Sequence, residues 1–199
     1  MMQSLILAST SAIRATLMSN AGLEFDAIPA DVDERAIEEP LLEADFLPED
    51  IASVLAEAKA IDVSERFPGA LVVGADQILA FQGRRWVKAE SMDEARSNLL
   101  TLRGQTHELH AAVVCARDGA AVWRHVSTAN LTMRDFSPEF LGRYLASVGD
   151  NALSSVGAYQ LEGEGVQLFE RIDGDYFTIL GLPLLPLLAF LRGETVIDD

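Results

Sequence analysis

The sequence predicts an α/β protein with a mixed, twisted sheet and flanking helices. Three observations carry this. Short apolar runs of strand length interleave with segments whose apolar residues recur at helical intervals. Two-residue turn signals, Gln82-Gly83 and Asp118-Gly119, join some strands as antiparallel hairpins, while helices separate the others. The 199 residues are 49% hydrophobic and 23% charged, a balance that supports a buried core and excludes disorder. No linker composition divides the chain, so residues 1–199 are expected as one domain.

The elements follow in order. Ser4 to Ala8 reads as a buried strand. Ser11 to Ala21 reads as a helix stopped by Gly22. Phe25 to Ala30 is a second strand, leading into the acidic segment Asp31-Val32-Asp33-Glu34. Pro48 opens a helix whose stripe is Ile51, Val54, Leu55, Ala58 and Ile61. Ala70 to Asp76 is a strand, and Ile78 to Lys88 a hairpin. Ser91 and Glu94 form a capping box for a helix that ends at Gly104. His107 to Arg117 and Ala121 to Arg134 make a long hairpin. Ser137-Pro138 starts a helix that stops at Gly149. Val166 to Ile172 and Tyr176 to Leu180 pair around Asp173-Gly174, and Leu182 to Leu191 closes the chain as a helix.

Charge and cysteine content remove several function classes. The net charge of −16 leaves no basic face for polymeric nucleic acid. A small anionic substrate stays possible if the few cations cluster locally. Cys115 is the sole cysteine, which excludes a disulfide framework and a thiolate zinc cluster, and its apolar neighbours mark a buried thiol. His107, His110 and His125 lack zinc-helix spacing and read as sheet or surface residues. The longest apolar stretch, Ile179 to Leu191, is shorter than the roughly 20 residues of a membrane span. The N-terminus has no signal-peptide pattern, so a soluble cytoplasmic protein is expected.

Four segments are candidates for chemistry. Ala8-Ser9-Thr10-Ser11-Ala12-Ile13-Arg14 places hydroxyls and a guanidinium at a helix start, as a phosphate site does; on this segment alone, plain N-capping with a surface arginine is the simpler explanation. Val72-Val73-Gly74-Ala75-Asp76-Gln77 ends an apolar strand in small residues and an acid, either an approach for a ligand or a turn. Lys59 and Lys88 are the only lysines beside 13 arginines, and each alone reads as a surface charge. Ser155 to Gly165 sets three glycines around Tyr159 and Glu162, able to wrap a planar ligand or simply irregular.

In order and spacing these segments resemble the Maf family of nucleoside triphosphate pyrophosphatases, also described as septum-formation inhibitors. The matching run is Leu5 to Arg14, Asp31 to Glu34, Leu55 to Lys59, Gly74 to Asp76, Lys88, Gly157 to Gly163, Gly174 to Tyr176 and Gly181 to Leu184. The resemblance implies two lobes around a deep cleft, a fold of the Maf/ITPase type. It implies hydrolysis of a nucleoside triphosphate to monophosphate and pyrophosphate with a divalent metal, Mg²⁺ or Mn²⁺. Asp76, Lys59 and Lys88 take the catalytic positions. Ser9, Ser11 and Arg14 are expected to bind phosphate, and Glu34 and Asp76 to hold the metal. Asp76 is expected either as metal ligand or as proton acceptor. No membrane or nucleic-acid partner is implied, and a homodimer is compatible.

The sequence departs from the common family pattern at four places. One arginine is missing from Ser11-Ala12-Ile13-Arg14, Lys88 is followed by Ala89, Gln77 stands where threonine is common, and Glu162 where glutamine is. Gln77 and Glu162 are expected to bind the base and resemble the subgroup acting on 7-methylguanosine triphosphate. A carboxylate only accepts hydrogen bonds, and guanine offers two adjacent donors, whereas uracil and thymine offer one between two acceptors. Two rival readings are a nucleotide-responsive regulator of septum formation acting through a protein partner, and a phosphohydrolase releasing orthophosphate.

Overall fold

The computed structural model describes residues 4–198. Seven strands form one mixed sheet in the order β2-β1-β3-β5-β6-β7, with β4 paired to β3. The strands are β1 (Leu5–Ala8), β2 (Asp26–Ala27), β3 (Leu71–Phe81), β4 (Arg84–Trp86), β5 (Thr106–Arg117), β6 (Ala120–Met133) and β7 (Phe169–Asp173). The helices are α1 (Ala12–Asn20), α2 (Glu34–Glu43), α3 (Pro48–Arg66), α4 (Met92–Leu102), α5 (Pro138–Val148), α6 (Tyr176–Ile179) and α7 (Leu184–Gly193). The described residues divide into two compact units, one of residues 4–77, 110–128 and 175–198, the other of 78–109 and 129–174.

In the first unit β1 runs parallel to both β2 and β3, from Leu5 opposite Leu71 to Ala8 opposite Gly74. Every residue of β1 is buried, as expected of a parallel strand covered on both faces. Ile6, Ala8, Val63, Ala70 and Val72 form one core cluster with Ile28 and Ala30 packed on it. The β2 ladder is shorter than the expected Phe25–Ala30 strand, since Pro29 has no N–H to extend it.

The face that α3 buries differs from the stripe read in the sequence. Ala52, Ala56, Ala60 and Val63 are buried beside Ile51 and Leu55, whereas Val54, Ala58 and Ile61 are only partly covered. Small residues face the sheet because α3 passes close to it at Gly74. A Cβ on Gly74 would lie 2.2 Å from the Ala56 carbonyl oxygen and 2.8 Å from the Ala60 Cβ. Gly74 therefore admits a helix, not a ligand as the sequence suggested.

Local signals held where they are self-contained. Ser11, Ser91 and Ser137 cap α1, α4 and α5 with their hydroxyls. Gln82-Gly83 and Asp118-Gly119 have positive φ at both positions, as a type I′ turn requires. Two expectations fail. The acidic segment Asp31 to Glu34 leads into a helix that was not expected, α2, capped by Asp33 and continued despite Pro40. Tyr176 to Leu180 is not a strand: Asp175 caps the short α6, accepting from the Thr178 N–H and hydroxyl, and β7 pairs with β6.

In the second unit the Ser155 to Gly165 loop turns its ring inward. Tyr159 is buried, its hydroxyl 2.7 Å from His107 Nε2 and its ring edge-on to Phe169. Gly157 has no room for a side chain, because a Cβ there would meet the Tyr159 ring at 2.1 Å. Tyr159 is a core residue, and its ring is not the part of this loop that could meet a planar ligand. Burial pushes the Tyr159 hydroxyl upward and the His107 imidazole down to about 4.

Candidate active site

Asp76 lies just past the point where the β1–β3 ladder ends at Gly74, inside the continuous strand β3 and not at its end as expected. Side chains alternate along a strand, so Gly74 and Asp76 share the face toward α3. From α3, Lys59 reaches Asp76 with its Nζ 2.7 Å from Oδ1. The same Nζ lies 3.0 Å from Oε1 of Glu34, the first residue of α2. Lys59 and Asp76 are 12% and 11% exposed at the side chain, and Glu34 is 53% exposed. One ammonium therefore bridges a buried carboxylate and one open to solvent.

Ser9 and Ser11 occupy the β1–α1 connection. Ser11 caps α1 through the Arg14 N–H, so the capping reading holds for it. The Ser9 hydroxyl oxygen accepts from the Ser11 N–H at 3.2 Å and from Arg14 Nη1 at 3.3 Å. With both lone pairs engaged, its proton is left to donate. Arg14 donates Nε to the Gly181 carbonyl and Nη1 to the Ala75 carbonyl, both at 2.8 Å. Burial lowers the Arg14 pKa, and the nearby carboxylates of Asp76 and Glu34 oppose that shift. Most of this guanidinium is tied to backbone; Nη2 is the part left for a ligand.

Gln77 gives both amide hydrogens to carbonyls of α6, to Thr178 at 2.9 Å and Ile179 at 3.0 Å. Only an NH₂ can donate to two carbonyls, which sets the amide orientation. The turn from Thr178 to Gly181 is thus part of the site's frame. The sequence led to a strand here, although the Asp175-x-x-Thr178 spacing is a legible cap.

Six of the expected site residues thus meet in the first unit: Ser9, Arg14, Glu34, Lys59, Asp76 and, through its neighbours, Gln77. Ser11 supports them. Lys88 and Glu162 belong to the second unit, where both are exposed, Lys88 just beyond β4 and Glu162 in a turn. An open cavity of about 240 Å³ in that unit is lined by Phe140, Arg143, Tyr144, Ser147, Glu164 and Gln167, none of them expected site residues.

Among the described residues no group of three or more His, Cys, Asp or Glu side chains gathers to enclose a metal. The pair Glu34 and Asp76 offers carboxylate oxygens, the donors of a hard cation that keeps waters and shares substrate phosphates. None of the described helices is long and apolar enough to cross a membrane.

A family pattern described as "Maf-like protein" matches residues 4–194. The chain is 60% identical to a "7-methyl-GTP pyrophosphatase" of Brucella abortus biovar 1 (strain 9-941), over 98% of both chains. It is 58% identical to one of that name from Mesorhizobium japonicum, over the full length of both. It is 56% identical to a "Nucleoside triphosphate pyrophosphatase" of Caulobacter vibrioides, over 94% of this chain and 93% of that one.

Proposed function

The chain belongs to the Maf-like protein family, and from that premise we propose that it hydrolyses a nucleoside triphosphate to the monophosphate and pyrophosphate, with 7-methyl-GTP as the preferred substrate. The observation that carries the proposal is the shared ammonium of Lys59 between Asp76 and Glu34, with Arg14 and the Ser9 bound to it nearby.

Water attacks the α-phosphorus and the bond from that phosphorus to the bridging oxygen of the β-phosphate breaks. The water oxygen stays in the monophosphate and pyrophosphate leaves with the bridging oxygen. Asp76, buried and aimed by Lys59, accepts the proton of the attacking water. Lys59 has three N–H donors and gives one to Asp76 while its charge also pairs with Glu34, so donor capacity is open to a phosphate oxygen. The Ser9 hydroxyl proton and Arg14 Nη2 add neutral and charged donors, and α1 directs its first-turn N–H groups to the same side as its cap. Such fixed donors stabilise the charge that grows on the leaving group.

Glu34 and Asp76 would hold Mg²⁺ or Mn²⁺, which when bound neutralises triphosphate charge and aids pyrophosphate departure. Lys88 is assigned to charge neutralisation and Glu162 to base selection, both on the motif positions they occupy. The reaction serves the cytoplasmic nucleotide pool, where we place the protein.

The test is hydrolysis in ¹⁸O-water of 7-methyl-GTP, GTP, UTP and dTTP with Mg²⁺ or Mn²⁺. Label in the monophosphate and none in pyrophosphate is expected. Labelled orthophosphate with a diphosphate as co-product would overturn the proposal.

A further inference from the structure

The geometry points to Gln77 as a positioning residue that sets the direction of Asp76; this rests on the pyrophosphatase reading above. Gln77 follows Asp76 on β3, and alternation sends its side chain off the opposite face. The neighbours confirm the sides. Gly74 meets Ala56 and Ala60 of α3, and Asp76 meets Lys59 of α3. Gln77 meets Thr178 and Ile179, and a Cβ on Gly181 would lie 3.6 Å from Gln77 Cδ.

The two residues flanking Asp76 are thereby fastened to one short turn. After Asp76, the Gln77 amide binds the carbonyls of Thr178 and Ile179. Before it, the Ala75 carbonyl accepts from Arg14 Nη1, while Arg14 Nε binds the Gly181 carbonyl. The turn is hydrogen-bonded within itself. Asp175 caps it, Gly181 N–H donates to Thr178 O, and Leu182 N–H to Phe177 O. With the Ala75 carbonyl and the Gln77 side chain held, the Asp76 carboxylate keeps the orientation in which Lys59 finds it. Both donor hydrogens of Gln77 are committed to this brace, which leaves its Oε1 as the one polar atom of the side chain outside it.

Small errors in aim are costly to catalysis, since a misplacement of about 1 Å can lower the rate about 10²-fold. Gln77→Glu keeps the shape, but a carboxylate cannot donate to two carbonyls. Gln77→Asn keeps the donors but shortens the reach, and is the second variant should Gln77→Glu fail to fold. The variants are compared with wild type in kcat and KM for 7-methyl-GTP, GTP and dTTP, and in amide hydrogen exchange at residues 178–182. The expected result is a kcat at least about tenfold lower by the same factor for every nucleotide, KM within about twofold, and faster exchange in the turn. A changed ranking of nucleotides would make Gln77 a base reader and overturn the inference. Faster exchange or lower Tm with kcat intact would make it a structural tie only, and overturn it too. If wild type releases no pyrophosphate from any nucleotide, the functional reading itself has failed, while the exchange data still report whether Gln77 holds the turn.

Discussion

The Lys59 ammonium and the Asp76 carboxylate meet at 2.7 Å with both side chains nearly buried; Lys59 has a second carboxylate, Glu34, at 3.0 Å, whereas the other cation acting on Asp76 is Arg14, whose guanidinium is already bound to backbone carbonyls. The pair is therefore asymmetric. Removing Lys59 strands a carboxylate away from water, whereas removing the Asp76 charge leaves Lys59 still paired.

Lys59→Met is accordingly expected to destabilise the fold more than Asp76→Asn. Breaking a buried pair by deleting one partner costs about 3–5 kcal/mol. Both variants should lose activity, Asp76→Asn by about 10²-fold or more as a lost acid–base group does. Denaturant unfolding of the two variants checks the order of stability. Equal losses would mean that the carboxylate is solvated without its lysine.

Gly74→Ala tests the close approach of α3. The added methyl would press on the backbone of Ala56 and Ala60, which cannot rotate away. Overpacking of this kind costs about 1–3 kcal/mol, and more where backbone must move. Because Lys59 rides on the same helix, turnover should fall along with Tm. A thermal melt within a degree of wild type would show that α3 yields freely.

His107 predicts a pH dependence of stability. Burial holds its imidazole at about 4, against an ordinary 6.5. Between those values the unfolded chain binds a proton that the folded chain refuses, so the contribution is complete above pH 6.5 and is lost as pH falls toward 4. The difference amounts to about 3 kcal/mol. His107→Gln should flatten this part of the profile, with a slope shallower by up to one proton. Parallel profiles from pH 7 to 4.5 in the two proteins would place the dependence elsewhere.

Glu162→Gln tests base selection. The variant should lose most of its preference for 7-methyl-GTP and GTP over UTP and dTTP, by roughly tenfold, the effect of about 1–3 kcal/mol for a polar group left unpaired. The ratios of kcat/KM decide the matter. An equal loss for all four nucleotides would move Glu162 from the base to the phosphates or the metal.

How much of this could be read before the fold was known depends on distance along the chain. Ser11, Ser91 and Ser137 cap helices that start beside them, and Gln82-Gly83 and Asp118-Gly119 turn by their own backbone preferences. The motif order around Ser9, Arg14, Glu34, Lys59 and Asp76 named side chains that do meet. α2 was missed because Pro40 masks a helix that Asp33 caps. Residues 176–180 have strand-like composition, yet the two bonds from Thr178 to Asp175 coil them into α6.

By itself the sequence determined the caps, the tight turns, the alternation of strand and helix, and the family. Only the tertiary structure decided that Gly74 makes room for α3, that Tyr159 turns inward to His107, and that the Gln77 amide is committed to α6. The physical reason is that a cap or turn is satisfied by atoms within a few residues. The packing of Gly74, Tyr159 and Gln77 is set by neighbours far away in the chain, and no local preference encodes which of them will arrive.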